Sequence, residues 1–223
     1  MATEAMTAPS RDGAADLIYA LARSDGSIAH DYVQTPALIE GAQSARNLAD
    51  AVHYLCVLHG RLPSVVDLAA MKAGADGKSG WLHEAAVAFA LERTYLMQLV
   101  VAVGPVPSTP GQADCEAAVV GQHHALEMLA RSERRGCAIG AAVGLVLDWA
   151  AVRPILDAAA VRFGLSVAER RLPPDEETRA FIDRIADSYA VERAMMFGVQ
   201  QLLVQHRGLW DLLEARSAAR QQG

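Results

Sequence analysis

The chain has 223 residues, of which 52% are hydrophobic, 5% are aromatic and 43 are alanine, a length that fits a single domain with a real core. A net charge of −6 excludes the basic surface that nucleic acid or an anionic membrane would need as a partner. The cysteines (Cys56, Cys115 and Cys137) have neither disulfide-framework nor zinc-site spacing, and no signal peptide or 20-residue apolar run is evident, so we expect a cytoplasmic protein.

Apolar residues recur at spacings of three and four, which is typical of amphipathic helices and predicts an all-α fold. Glycine and proline breakers leave predicted helices at about 13–24, 38–60, 81–103, 112–134, 137–162 and 175–214. Pro154 is expected to kink or divide the fifth helix near Val152–Arg153. We expect residues 1–12 to be disordered, 13–214 to form one helical-bundle domain, and 215–223 to fray.

Two short segments that recur later in the sequence indicate an internal duplication. Phe89–Met97 reads against Tyr189–Phe197, with an aromatic residue, Ala, an aliphatic residue, Glu and Arg in the same order one hundred residues later. Leu21–Asp25 is likewise similar in sequence to Leu129–Glu133. The halves, about 13–104 and 112–207, would each hold three helices, giving a pseudo-two-fold bundle whose third and sixth helices face each other.

Glu92 and Glu192 lie on or beside the apolar stripes of the third and sixth predicted helices. A buried carboxylate needs a cation, a metal or hydrogen bonds, because its burial without a partner is costly. One interpretation makes the two glutamates metal ligands or a general acid and base in the core. The other has Arg93 and Arg193 pair with Glu192 and Glu92 across the pseudo-axis as purely structural ion pairs.

Glycines recur every fourth residue at Gly136, Gly140 and Gly144, and Asp148 follows on the same stripe of the fifth helix. This spacing indicates either a close helix crossing or a flat ligand lying over Gly140 and Gly144, with Asp148 anchoring a polar group. His53 stands in a nearly apolar turn. It is either a hydrogen-bonded core histidine or a metal ligand together with the two glutamates.

The two three-helix repeats, the glycine-rich helix and the glutamate deep in the last helix together resemble the haem oxygenase-like bundle, over about residues 14–210. The resemblance to its thiaminase II branch implies that Tyr189 and Glu192 serve an active site. The resemblance to haem oxygenases implies a porphyrin on the glycine-rich helix, with an early histidine such as His30. Di-iron members of this group and ferritin-like bundles, the alternative fold, use ExxH motifs; here Tyr95 and Met195 stand at the histidine positions.

These sequence features are compatible with two functions of different kinds, one enzymatic or ligand-binding and the other structural. The first is a small-molecule-binding protein or a metal- or oxygen-using enzyme; its cofactor is unknown, iron and haem are the candidates, and the sequence itself requires none. Its pocket would lie between the third, fifth and sixth predicted helices, lined by Glu92, Asp148, Glu192, Tyr95, Tyr189 and His53. The second is a non-catalytic helical homodimer with structural Glu–Arg pairs, anchored by Trp81, Trp210 and Leu213.

Overall fold

The computed structural model describes residues 13–74 and 80–222, and within these residues the fold is helical, without a strand. The α-helices are α1 (Ala14–Asp25), α2 (Asp31–Gln34), α3 (Ser44–His59), α4 (Val65–Ala73), α5 (Gly80–Val103), α6 (Gln112–Ala130), α7 (Cys137–Arg162), α8 (Asp175–Ile185) and α9 (Tyr189–Gln222). Short 3-10 helices at Ser27–Ala29 and Pro36–Leu38 flank α2. The predicted all-α bundle is confirmed.

Two of the differences from the predicted helices change the number of helices. The predicted last helix is two helices, because residues 186–188 separate α8 from α9. Helix α4 is not among the predicted helices. It begins with a capping box, in which the Asp67 amide donates to Ser64 Oγ and the Ser64 amide donates to the Asp67 carboxylate at 2.7 Å.

The C-terminal end of the chain is tied into the core. The predicted fraying of 215–223 is wrong for residues 215–222, since α9 continues to Gln222 and Arg216 is buried against Asp50 of α3, while Gly223 lies outside the described residues. The predicted disordered segment 1–12 lies outside the described residues.

Helix α7 is the central helix of the bundle. It packs along α9 and also contacts α3, α4, α5 and α6. The expectation that Pro154 divides it is wrong, because α7 runs unbroken from Cys137 to Arg162. Pro154 and Ala150, whose carbonyl loses its helical partner, both lie on the exposed side. The proline therefore removes a hydrogen bond on the solvent side of α7 and not in the core, and the helix continues.

The glycine-rich face of α7 packs directly against the backbone of α9. A Cβ on Gly140 would overlap the backbone of Met195, and one on Gly198 would overlap the backbone of Cys137. A Cβ on Gly144 would lie 3.2 Å from the Cα of Val199. The glycines therefore allow a close helix crossing, and the expectation of a flat ligand over Gly140 and Gly144 is wrong, because α9 occupies that face.

The third predicted helix is α5, and most of the sixth predicted helix is α9. These two helices do not pack along each other. Among the described residues, α5 packs against α3, α4 and α7, while α9 packs mainly against α7. The expectation that these two helices face each other across a pseudo-axis is therefore wrong. The internal duplication itself stays a prediction.

Three aromatic or aliphatic side chains that we expected at a dimer interface lie in the core of the chain itself. Trp81 stacks on Phe181 with ring centroids 4.5 Å apart, and Trp210 and Leu213 are fully buried. The choice of Trp81, Trp210 and Leu213 as dimer anchors is therefore wrong.

Helices α5 and α7 are both long and apolar enough to cross a membrane by length and composition alone. The most apolar stretch of α7 is 72% buried inside the fold and that of α5 is 39% buried. Buried core helices of soluble proteins pass the same test, so this is weak evidence for a membrane span.

Candidate functional site

Asp148 lies in the centre of the bundle with its side chain 1% exposed. Its carboxylate accepts hydrogen bonds from the amide of Ser27 at 2.7 Å, from the hydroxyl of Ser27, and from Nδ1 of His206 at 2.5 Å. These partners come from the 3-10 helix after α1 and from α9. Three donors satisfy this buried carboxylate, so Asp148 can be buried without an arginine.

His206 joins Asp148 to a second buried histidine. Nε2 of His206 lies 2.7 Å from Nε2 of His59, at the end of α3. In the tautomer that carries its single proton on Nδ1, facing the carboxylate, His206 offers Nε2 as an acceptor. His59 must then donate from its own Nε2, which leaves Nδ1 of His59 without a proton. We call Asp148, His206 and His59 the relay.

The surroundings of His59 keep it uncharged. Its ring packs edge-on against Phe89 and Trp149, with centroids 6.1 and 5.5 Å away. Burial lowers the pKa of His59 well below its ordinary value of 6.5, and the neighbouring His206, His123 and Arg93 lower it further. At neutral pH His59 is therefore a free base.

Ser27 orients the relay rather than acting as a nucleophile. Its hydroxyl donates to Asp148 and accepts a hydrogen bond from Nε1 of Trp210 at 2.7 Å. The oxygen faces the carboxylate and not a histidine that would remove its proton. It follows that Ser27 and Trp210 fix the position of Asp148.

A small pocket beside His59 connects the relay to the surface. Its volume is about 10 Å³, which is room for about one water molecule. The pocket is lined by Leu58, His59, Arg61, Pro63, Ser64, Val65, Leu68, His123, Leu126 and Glu127. His123 is held there by the bond between its Nδ1 and the carbonyl of Leu58 at 2.9 Å, and Arg61 lies exposed at the rim.

Glu92 of α5 forms a second buried polar group with two residues of α7. Its carboxylate accepts from Arg153 at 2.7 Å and from Nε1 of Trp149 at 2.9 Å. Arg153 also donates to Asp157 at 2.7 Å, and the Tyr95 hydroxyl donates to the same carboxylate at 3.1 Å. Burial, followed by the charge of Asp157, raises the pKa of Tyr95 to about 12.

The predicted pocket residues Glu92 and Tyr95 are brought together at the edge of a cleft. The cleft has a volume of about 310 Å³ and lies between α5, α7 and residues 168–171. Glu92 and Arg153 both line the cleft, and both side chains are almost fully buried. The expected cross-pairing of arginines is wrong: Glu92 binds Arg153, and Arg93 binds Asp67 at 3.0 Å.

The remaining predicted site residues lie elsewhere. Glu192 is half-buried at the start of α9, and Tyr189 is exposed beneath the guanidinium of Arg193. Nε2 of His53 lies 2.8 Å from the carbonyl oxygen of Gly104, which makes it a hydrogen-bonded histidine. Within residues 13–74 and 80–222, Glu92, Glu192 and His53 do not form a metal-binding group, so that predicted ligand set is wrong.

One group of potential metal ligands does occur in the described part of the chain, formed by His30, Asp211 and Glu214. Nδ1 of His30 accepts from the amide of Tyr32 at 3.2 Å, so Nε2 carries the proton and donates to Asp211 at 3.1 Å. Neither nitrogen offers a free lone pair. His30 therefore caps α2 and binds Asp211, and the group does not present a metal site.

A family model described as a family of unknown function (DUF6975) matches residues 22–221. The chain belongs to DUF6975. Neither the comparison with curated proteins nor the comparison with solved structures gives a match. The matched range contains Ser27 and the whole relay, so the candidate site lies within the part of the chain that defines DUF6975 membership.

The sequence analysis identified only Asp148 of the relay in this DUF6975 chain. The sequence pattern singles out neither His206 nor His59. Both histidines have apolar neighbours one turn away, such as Leu55 and Leu202, which is the signal that could have placed them in the core. Their contact joins residues 147 positions apart, and the periodicity of a single sequence does not reveal such a pairing.

Proposed function

We propose that this chain is a hydrolytic enzyme in which His59 is the general base that activates a water molecule in the adjacent pocket. The observation that carries the proposal is the relay itself, in which contacts of 2.5 Å and 2.7 Å join Asp148 to His206 and His206 to His59. His59 lines a pocket that has room for about one water molecule.

The relay gives His59 the properties of a general base. A proton taken up at Nδ1 of His59 releases the proton at Nε2 to His206. The imidazolium that forms on His206 then lies against the carboxylate of Asp148, which stabilises the positive charge. General-base catalysis of this kind contributes about 10²- to 10⁴-fold to a rate.

The size of the pocket restricts where the substrate would bind. A volume of about 10 Å³ holds the attacking water but not the substrate. The electrophilic atom would therefore lie at the mouth, beside Arg61 and Glu127. This arrangement favours a small substrate with a polar or anionic group that Arg61 attracts.

The test is turnover of a panel of small esters, amides and lactones by the wild type and by His59→Gln. We expect His59→Gln to lose about 10²- to 10⁴-fold in rate. His83→Gln, which changes an exposed histidine at the start of α5, is the matched control and should keep full activity. The wild type should remain active below pH 6.5, because the lowered pKa keeps His59 neutral there. Equal turnover by wild type and His59→Gln would contradict the proposal.

A second candidate function is ligand binding without catalysis in the cleft beside Tyr95 and Glu92. Its volume of about 310 Å³ is in the range of small-molecule sites, and polar side chains such as Thr94 and Gln98 line it. A ligand found by thermal-shift screening should lose its effect in Thr94→Trp, which fills the cleft. If Thr94→Trp leaves ligand binding unchanged, the cleft is not the binding site.

The haem oxygenase-like relationship, the internal duplication, the cytoplasmic location and a homodimer stay proposals. A metal- or oxygen-using enzyme is also still a proposal, and a metal would need ligands other than the set of Glu92, Glu192 and His53. Elemental analysis of protein purified without a chelator, together with an absorbance scan, tests for iron and haem. Sedimentation at tens of micromolar tests for a dimer.

A further inference from the structure

Two arginines of α9 share one aspartate of α3 inside the bundle. The side chains of Asp50, Arg216 and Arg220 are 1%, 4% and 3% exposed. Arg216 donates to both oxygens of Asp50 at 2.9 and 3.1 Å, and Arg220 donates to one of them at 2.5 Å. Because a guanidinium does not lose its proton in a protein, this buried group carries one positive charge in excess.

In the described part of the chain, no other buried side chain that bonds to the two arginines supplies the missing negative charge. Their further acceptors are neutral oxygens: the carbonyl of Pro107, the hydroxyl of Thr109 and the side-chain oxygen of Asn47. Burial raises the pKa of the Cys115 thiol, which lies beside Arg216, so it stays protonated. Within residues 13–74 and 80–222, the groups that bond to the two arginines therefore leave this excess charge unbalanced.

The same group contains buried donors that lack an acceptor. Nη1 of Arg216, Nε of Arg220 and the hydroxyls of Tyr32 and Tyr54 are closed off from solvent and have no hydrogen-bond partner among residues 13–74 and 80–222. Burial raises the pKa of Tyr32 to about 12 and that of Tyr54 further, so both hydroxyls keep their protons. Cys115 lies near Tyr54 and Ser217 near Tyr32, but neither contact has hydrogen-bond geometry.

Among the described residues, six buried side-chain polar atoms have no partner, and these four donors are most of them. The other two are the amide oxygens of Gln43 and Gln122. A buried donor without an acceptor and a buried charge without a counter-charge are both unfavourable, and a bound anion would remove both costs at once.

We propose that the group formed by Asp50, Arg216 and Arg220 binds a monovalent inorganic anion of the size of chloride. One negative charge balances the excess of one positive charge. The enclosure of the unpartnered atoms restricts the ligand to a small ion. The anion would tie the last turns of α9 to α3 and to the segment that holds Pro107 and Thr109, so the folded state should depend on it.

The experiment compares thermal unfolding in sodium bromide with unfolding in sodium gluconate at equal ionic strength, since gluconate is too large to enter. We expect bromide to raise the Tm in a saturable manner, by about 3–6 °C at a concentration about tenfold above Kd. Crystals soaked in bromide should show an anomalous peak beside Arg216 and Arg220.

The variant that separates this proposal from a general salt effect is Arg220→Met. It leaves Asp50 neutralised by Arg216 alone, so the bromide dependence should disappear. Arg207→Met removes an exposed arginine from the same helix and should keep the dependence. A bromide effect of equal size in Arg220→Met, or water without anomalous signal at the site, would overturn the proposal. If Arg220→Met does not fold, the anomalous map of the wild type decides.

Discussion

Asp148 lies on the central helix α7, and Glu92 of α5 bonds to side chains of α7. Both carboxylates are buried, yet their partners differ in chemistry. Glu92 binds the guanidinium of Arg153 and the indole of Trp149, which do not exchange protons near neutral pH. Asp148 binds His206, and His206 binds His59. Histidine is the side chain that titrates near pH 7.

The difference shows how the partner decides what a buried carboxylate can do. The pair of Glu92 and Arg153 has fixed charges and serves the fold. The carboxylate of Asp148 instead holds a pair of histidines, His206 and His59, and His59 lines a pocket near the surface. Stability measurements should therefore respond most strongly at the first pair, and pH dependence should arise at the second.

The largest expected effect is on Arg153. Arg153→Met leaves Glu92 buried without its cation and should lower the free energy of unfolding by about 3–5 kcal/mol. The double variant Glu92→Gln with Arg153→Met should recover most of that loss, because no buried charge remains. Urea denaturation of both variants measures the difference. If the double variant is no more stable than Arg153→Met, the unpaired charge is not the cause.

Asp148→Asn should have a smaller effect on stability and a larger one on the site. It replaces a charged acceptor and should cost about 1.5–3 kcal/mol in the free energy of unfolding. His206 loses the partner that holds its proton on Nδ1, so turnover should fall to the level of His59→Gln. An Asp148→Asn protein with wild-type turnover would show that the carboxylate is not part of the relay.

The lowered pKa of His59 predicts how stability depends on pH. The unfolded chain binds a proton near pH 6.5, whereas folded His59 resists it, so the unfolded state gains stability as the pH falls below 6.5. This contribution is fully present above pH 6.5 and decreases by up to about 1.4 kcal/mol per pH unit below it. Denaturation at pH 7.5, 6.5 and 5.5 measures the slope. His59→Gln should reduce it, and His83→Gln should not.

Tyr95→Phe should have the smallest effect. It removes the hydroxyl that bonds Asp157 while the pair of Glu92 and Arg153 stays intact, so we expect a loss of about 0.5–1.5 kcal/mol. The pH slope below 6.5 should be the same as in the wild type. A changed slope in Tyr95→Phe would mean that the two carboxylate groups are coupled, and the comparison between them would fail.

The helices were predictable because their apolar spacing and their glycine and proline breakers act locally. The need of Glu92 and Asp148 for partners was also visible, since each carboxylate stands on an apolar stripe. Which partners they find was not visible. Arg153 reaches Glu92 from a helix 61 residues away, and His206 reaches Asp148 across 58 residues. Such pairings depend on how the helices pack, and the shared Glu–Arg pattern pointed to the wrong pair.

The most direct test of the relay is the protonation state of its histidines. Two-bond ¹H–¹⁵N correlation spectra of protein labelled with ¹⁵N-histidine at pH 7, assigned with His59→Gln and His206→Gln, report which ring nitrogen carries the proton. The relay predicts that His206 is protonated at Nδ1, with a strongly downfield proton shared with Asp148, and that His59 is protonated at Nε2 with Nδ1 free. A proton on Nδ1 of His59, or an unprotonated Nδ1 in His206, would contradict it.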